Sequence, residues 1–412
     1  MSTSPTPEAA PLRGLRVLDM TRVVAGPLAG QILGDLGADV IKVERKGVGD
    51  ESRLVGPPWM PNREGEESTY FQAVNRNKRS IAIDFAHPRG AEVIRSLARE
   101  SDILLENHRP GTLDRYGLGY EKLREINPRL IFCSLTGFGQ TGPYADRSGY
   151  DYLIQGMGGL MSVTGLPDGE EGAGPIRVGI PIVDIVAGLN LTIGVLAALQ
   201  HRNLTGEGQA VDVALLDSEL SVMLNAASSW LNSGQLLGRS GNDHPSATPY
   251  GIFDADDGQM IIAIFNDREF VRLAHALDRP EWAEDPRFRT GGARVAHRAE
   301  IKAAVTSALK GRPRGEWMEL LNAAKVSCGP INDMADIVAD PHTQARGMVV
   351  EQEHPVMGKV RSMGAGFKLS GSPVSYRYAP PLAGEHSHEI LREVLGMSDE
   401  EIKRDVEADV VG

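Results

Sequence analysis

Residues 15–44 read LRVLDMTRVVAGPLAGQILGDLGADVIKVE, and this stretch decides the fold. Residues 15–19 are a short apolar strand, followed by a turn at Ala25-Gly26-Pro27. Residues 28–36 carry helical spacing that stops at Gly37, and residues 39–44 return to a strand pattern. The same alternation continues: a strand at 79–85, a helix at 88–100 with Pro88 in its first turn, and a strand at 102–106. A helix at 113–126 and a strand at 129–135 complete the run. Strand and helix in this recurring alternation predict an α/β fold with a large, doubly wound, mostly parallel sheet.

Past Gly137 the rhythm gives way to glycine-rich turns and two long apolar segments, 150–165 and 184–202. The second is apolar on nearly every face, so it is expected to be buried all round. Residues 211–231 read as strand then helix, and 234–249 as a polar loop. Residues 250–264 form a hairpin around Asp256-Asp257-Gly258. Strand signals at 348–360 and a helix from Glu389 close the chain. The expected organisation is a large α/β domain at 1–205, a smaller α+β domain at 225–330, and a return to the first domain at 345–412.

The 412 residues are 41% hydrophobic and 24% charged, an ordinary globular composition. The net charge of −12 argues against a nucleic-acid or membrane-surface partner, whose footprint would be basic. Two cysteines, Cys133 and Cys328, give no disulfide framework or thiolate metal site and fit a reduced cytoplasmic protein. Met1 to Pro11 lacks an apolar core and reads as a loose arm rather than a signal peptide. Residues 178–199 have the length of a membrane span, but Pro181, Asp184 and Asn190 interrupt them, so a buried core helix is expected.

The turn after the first strand lacks the G-x-G-x-x-G spacing, which speaks against NAD and flavin dinucleotides. Gly26 and Gly30, four apart, instead suit close helix packing. The ten histidines show no metal-ligand spacing, and no G-x-S-x-G elbow is present, so neither a metal site nor a hydrolase triad is expected. Basic residues cluster at Arg45-Lys46, at Arg76, Lys78 and Arg79, and at Arg109 and Arg115. Each cluster could hold phosphate or stand in solvent. Arg109 and Arg115 follow a strand, at the end where open α/β sheets bind ligands, and favour a phosphorylated ligand. Asp184 stands in an apolar run, where a carboxylate must be paired, a helix cap, or reactive. Asp151 is a second candidate by the same logic.

Several segments in this order resemble the class III CoA transferases, the formyl-CoA and carnitine CoA transferase family that includes the α-methylacyl-CoA racemases. They are the opening stretch, NRNKRSIAIDF (75–85), ENHRPGTLDRYGLGY (106–120), GYDYLIQGMGGLMSVTG (149–165), VGIPIVDIVAGLNLTIGVLAAL (178–199), TGEGQAVDVALLDS (205–218), EHPVMGKV (353–360) and PPLAGEHS (380–387). The resemblance implies an interlocked homodimer whose large domain binds coenzyme A as an acyl-CoA substrate, with no metal, NAD or flavin. It implies Asp184 as nucleophile, forming an acyl-aspartyl anhydride and then an aspartyl-CoA thioester. Coenzyme A contacts are implied for Arg45, Ile83, Asp84, Phe85, Ala86, Asn107, His108, Arg109, Arg115 and Ser148.

For the acid, the resemblance points to Arg22, Val24 and Asp151. A glycine-bearing loop at 237–242, with Gly238 and Gly241, is implied as a shield against water. Val24 departs from the glutamine of the oxalate-type enzymes, and Arg22 suits the distal carboxylate of a larger acid. The late segments and the loop GNDHPSATPY (241–250) are similar to succinyl-CoA-dependent transferases of dicarboxylic acids. Racemases of the family place histidine immediately before the position of Asp151; here it is Tyr150, so a two-base racemase lacks its partner. A racemase and a catalytically silent CoA-binding subunit are the alternatives to transfer.

Overall fold

The computed structural model describes residues 9–61 and 66–412. Most of the N-terminal arm expected at Met1 to Pro11 lies outside the described residues. The chain divides into two units, one comprising residues up to Gly159, Val178–Leu224 and His342–Gly412, the other Leu160–Arg177 and Asn225–Pro341.

The first unit is built on a six-stranded sheet. In chain order its strands are β1 (Arg16–Met20), β2 (Asp39–Glu44), β3 (Lys78–Ala82), β4 (Ile103–Glu106), β5 (Ile131–Thr136) and β6 (Ala210–Ala214). Every pairing is parallel, and the spatial order is β3-β2-β1-β4-β5-β6. That is the doubly wound arrangement expected from the alternation, with its topological switch between β1 and β4. Val17, Leu18, Ile41, Leu104 and Ile131 are fully buried, as central strands covered on both faces require.

One face of the sheet carries α1 (Ala25–Asp35) and a 24-residue helix, α2 (Ile182–Thr205). The two approach closely because Gly188 has no side chain: a Cβ there would lie 2.6 Å from Ala25 O. Gly26 and Gly30 set α1 against the end of β1 instead, since a Cβ would fall 2.3 Å from Thr21 Cβ at Gly26 and 2.6 Å from Asp19 Oδ2 at Gly30. The four-residue spacing serves packing against the strand rather than against a second helix. The other face carries the helices Pro88–Arg99, Tyr120–Ile126 and Ser387–Leu395. Pro88–Arg99 begins with Pro at its first position after the His87 cap and buries Val93, Ile94 and Leu97. Val410 and Val411 join the same core, and Val411 bridges to Ile83.

Two expectations change. The helix expected at 113–126 is a short 3₁₀ turn, Leu113–Tyr116, and a separate helix from Tyr120, because Gly117 takes φ +67° and ends the first turn. The apolar run 184–202 is not buried all round. Leu189, Ile193 and Leu196, spaced along one stripe of α2, are 46%, 63% and 38% exposed in the single chain. By length and composition α2 also passes for a membrane span, yet its opposite face, with Ala187, Leu191, Val195 and Ala198, packs into the core.

The second unit has a three-stranded antiparallel sheet in which Tyr250–Ala255 and Gly258–Ala263 form the expected hairpin and Cys328–Pro330 adds an edge. Its core gathers Phe253, Ile262, Phe270, Trp317 and Leu321.

Candidate active site

The carboxyl ends of β1 and β4 open on a cavity of about 340 Å³ at the switch point, as parallel α/β sheets dictate. Arg22, Val24, Asn107, His108, Arg109, Ser148 and Asp184, all singled out from sequence, line it. Every lining residue belongs to the first unit.

Asp184 sits in the first turn of α2, with Pro181 in the capping position. It is therefore not the helix cap. Asp151, from the helix Asp151–Met157, takes that role across the fold: its Oδ2 accepts the N–H groups of Val183 (2.8 Å) and Asp184 (3.3 Å). Gln155 Nε2 donates to Asp151 Oδ1 (2.6 Å), while its own Oε1 accepts from Val178 N (2.8 Å). Burial first, and the charge of Asp151 second, push the Asp184 carboxyl up to about 7. Such a carboxylate is ionised in part at neutral pH and is more basic, hence a better nucleophile, than an exposed aspartate. The phenol of Tyr70 is shifted up by burial and by the charges of Asp184 and Asp151.

Glu106 ends β4, buried, and burial raises its carboxyl to about 7 despite hydrogen bonds from Ser134 and from His108 N (2.8 Å). His108 is pushed down to about 4 by burial and by nearby Arg22, so its ring is neutral. Arg109 Nη2 donates to Ser148 Oγ (2.5 Å) at the exposed side of the cavity. Arg22 Nη1 donates to Glu51 Oε1 (2.6 Å), while its buried Nε has no hydrogen-bond partner.

Other expected site residues lie outside the lining. Arg45 and Arg115 are exposed; the Ile83 side chain is buried; Asp84 and Ala86 are exposed, and Phe85 stacks edge-on against His108 with centroids 5.5 Å apart. Gly238 and Gly241 belong to the second unit, where Gly241 N donates to Gly165 O (3.0 Å). Glu51, Arg147, Thr136 and Leu215 line the cavity and had no sequence signal singled out for them; nor had Tyr70, which lies outside the lining but feels the charges of Asp184 and Asp151. Only Asp50, an acidic residue placed to cap Glu51–Leu54, gave a local signal for Glu51.

The basic group Arg76, Lys78 and Arg79 is neither a phosphate site nor a solvated loop. Arg76 pairs with Asp35 (2.6 Å), Lys78 with Asp19 (2.8 Å), and Arg79 with Asp39 (2.9 Å) and Glu389 (2.7 Å). Their charges are spent inside the fold. Among the described residues no three His, Cys, Asp or Glu side chains group as metal ligands.

A switch-point cavity with a basic aspartate on a capped helix and arginines at its rim is suited to acyl transfer between anionic partners. The chain belongs to CoA-transferase family III, whose sequence model matches residues 12–387, and it is a CoA-transferase. It is 43% identical over 390 residues to the succinate–glutarate CoA-transferase of Agrobacterium fabrum, covering 93% of this chain and 96% of that one. It is 39% identical over 401 residues to the human succinyl-CoA:glutarate CoA-transferase, covering 97% and 90%. A crystal structure of a CAIB/BAIF family protein from Brucella suis superposes with a TM-score of 0.84 at 43% identity, covering 94% of this chain and 100% of that one.

Proposed function

We propose that the enzyme moves CoA from succinyl-CoA to a dicarboxylic acid of the glutarate class, with Asp184 as the nucleophile. The carrying observation is the Asp184 carboxyl, raised to about 7 on the wall of the switch-point cavity. The reaction names of the relatives at 43% and 39% identity support the substrate class. So does Arg22, a cation that lines the same cavity as Asp184.

An Asp184 oxygen attacks the thioester carbonyl, the C–S bond breaks, and an acyl-aspartyl anhydride and CoA thiolate result. The thiolate then attacks the aspartyl carbonyl, releasing the donor acid and leaving an aspartyl-CoA thioester. The acceptor carboxylate attacks that thioester, expelling the thiolate and forming a second anhydride. The thiolate finally takes the acceptor acyl group and frees Asp184. Each step exchanges one acyl bond for another and no net proton moves, so a covalent relay replaces one difficult displacement.

Coenzyme A is held by Arg109 and Ser148 at the rim, by His108, and by Arg45, Ile83–Ala86 and Arg115 further out, with charge-assisted contacts from the arginines to phosphate. Asp151 acts on Asp184 through the helix turn and its charge. The enzyme is a cytoplasmic homodimer in this reading. Both cysteines are free, and the stripe Leu189, Ile193 and Leu196 leaves apolar surface that a second copy would cover.

Incubation with succinyl-CoA followed by hydroxylamine should convert Asp184 to its hydroxamate and inactivate the enzyme, read by peptide mass spectrometry. Full transferase activity in Asp184→Ala would overturn the assignment. Light scattering of the purified chain reads the dimer; a monomer at micromolar concentration would remove that part.

A further inference from the structure

Between β1 and α1 the chain makes a turn that its own sequence resists. Val23 sits at φ +71°, a left-handed conformation that a β-branched side chain rarely takes because Cβ crowds the neighbouring carbonyl. Side chains from elsewhere hold the backbone there. Lys42 Nζ donates to Thr21 O (3.0 Å), and Asp50 Oδ1 accepts from Val23 N (3.1 Å). Asn107 grips the residue between: its Oδ1 accepts from Arg22 N (3.0 Å) and its Nδ2 donates to Arg22 O (2.8 Å).

The brace is itself rigid. Lys42 and Asp50 are 0% and 1% exposed and pair at 2.8 Å. Asp50 Oδ1 also takes the Ser52 N–H and hydroxyl, while Asp50 N donates to Glu44 Oε2 (2.9 Å). A strained residue persists only where its surroundings over-determine it, and such residues gather at functional sites. The two residues flanking Val23 are Arg22 and Val24, and all three line the cavity. Arg22 has one nitrogen on Glu51, the residue next to the brace, and its buried Nε is left without a partner.

We infer that Asn107 and the Lys42–Asp50 pair are positioning residues that hold Val23 in its left-handed turn and so fix Arg22 to receive the distal carboxylate of the acid substrate. This rests on reading the cavity as the site of CoA transfer to a dicarboxylic acid. It also reassigns the Asn107 side chain: both ends of its amide serve the main chain of Arg22, so its part is to set the acid site rather than to touch coenzyme A.

The test compares wild type, Asn107→Ala, Val23→Gly and the double variant. Two quantities are read: the thermal midpoint, and the ratio of kcat/KM for glutarate over butyrate with one acyl-CoA donor. Asn107→Ala should lower that ratio at least about fivefold through the KM for glutarate, with the donor KM moving less than about twofold. In the Val23→Gly background, Asn107→Ala should cost less than about half as much in both readouts, because glycine takes φ +71° without resistance.

Equal losses in the two backgrounds would overturn the brace. A raised donor KM with an unchanged acid ratio would return Asn107 to the coenzyme. An Asn107→Ala protein that folds only with Val23→Gly present supports the brace. If neither folds, Asn107→Asp replaces it, keeping the acceptor for Arg22 N and losing the donor to Arg22 O. Should wild type fail to distinguish glutarate from butyrate, the dicarboxylate reading falls, while the thermal midpoints still decide the brace.

Discussion

Asp151 Oδ2 lies 3.3 Å from the main-chain nitrogen of Asp184 and accepts its N–H, so one carboxylate holds the backbone that presents the other. Two like charges share one helix N-terminus. The Asp151 carboxylate accepts two N–H groups at the positive end of the helix, and its charge disfavours ionisation of Asp184.

The first prediction concerns pH. With Asp184 at about 7, kcat/KM should fall with a single-proton limb as pH drops through neutrality, since only the carboxylate attacks. Asp151→Asn keeps an oxygen to accept the two N–H groups but removes the charge. Its limb should move toward lower pH, by less than the whole displacement, because burial is the larger cause. A limb that stays in place shows that Asp151 acts through the hydrogen bonds alone.

A second prediction follows from the same carboxyl acting on stability. Its folded pKa of about 7 lies above the 3.8 of an ordinary aspartate, so the folded state holds the proton more tightly. Stability from this group is therefore present below about pH 4 and lost as pH rises toward 7. Asp184→Asn should be inactive yet more resistant to urea than wild type at pH 8, with the gap closing toward pH 5. Equal unfolding midpoints at both pH values would refute the burial cost.

Arg109, paired with Ser148 at the rim, should matter to the coenzyme more than to the acid. A hydrogen bond to a charged group contributes about 1.5–3 kcal/mol, so Arg109→Ala should raise the KM for succinyl-CoA about tenfold or more. Steady-state kinetics with dephospho- and intact acyl-CoA would locate the contact on a phosphate.

Gly188→Ala tests the packing that supports Asp184. The new Cβ would stand 2.6 Å from Ala25 O, a backbone atom that cannot swing aside. Overpacking of this kind costs about 1–3 kcal/mol. Calorimetry should show a lowered melting temperature, and displacement of α2 should reduce kcat as well. An unchanged melting temperature would mean that the helices separate freely.

The doubly wound sheet was legible because it depends on local alternation: β1, α1 and β2 fall within about a residue or two of the apolar pattern, apart from the first turn of α1, and strand order follows from handed crossovers. The region 113–126 misled because its helical spacing continues through Gly117, where only backbone conformation stops it. Asp184 was legible as an anomaly, a carboxylate in an apolar run. Its cap was not, since Asp151 reaches it from 33 positions away. The partners of Arg76, Lys78 and Arg79 were hidden for the same reason: ion pairs spanning 40 or more positions leave no mark on local composition. The left-handed turn at Val23 was invisible as well, since valine gives no signal for it.

The return of the chain to β3 bears on how the protein is made. Val411, bridged to Ile83, and the helix Ser387–Leu395 cover the end of β3, which emerges from the ribosome some 300 residues earlier. Contacts of such sequence separation form late and slow folding. Until synthesis reaches residue 411, the apolar surface around Ile81 and Ile83 stays open to water and to other nascent chains. The enzyme is thus most exposed to aggregation while still tethered to the ribosome, a hazard that a short C-terminal truncation would make permanent.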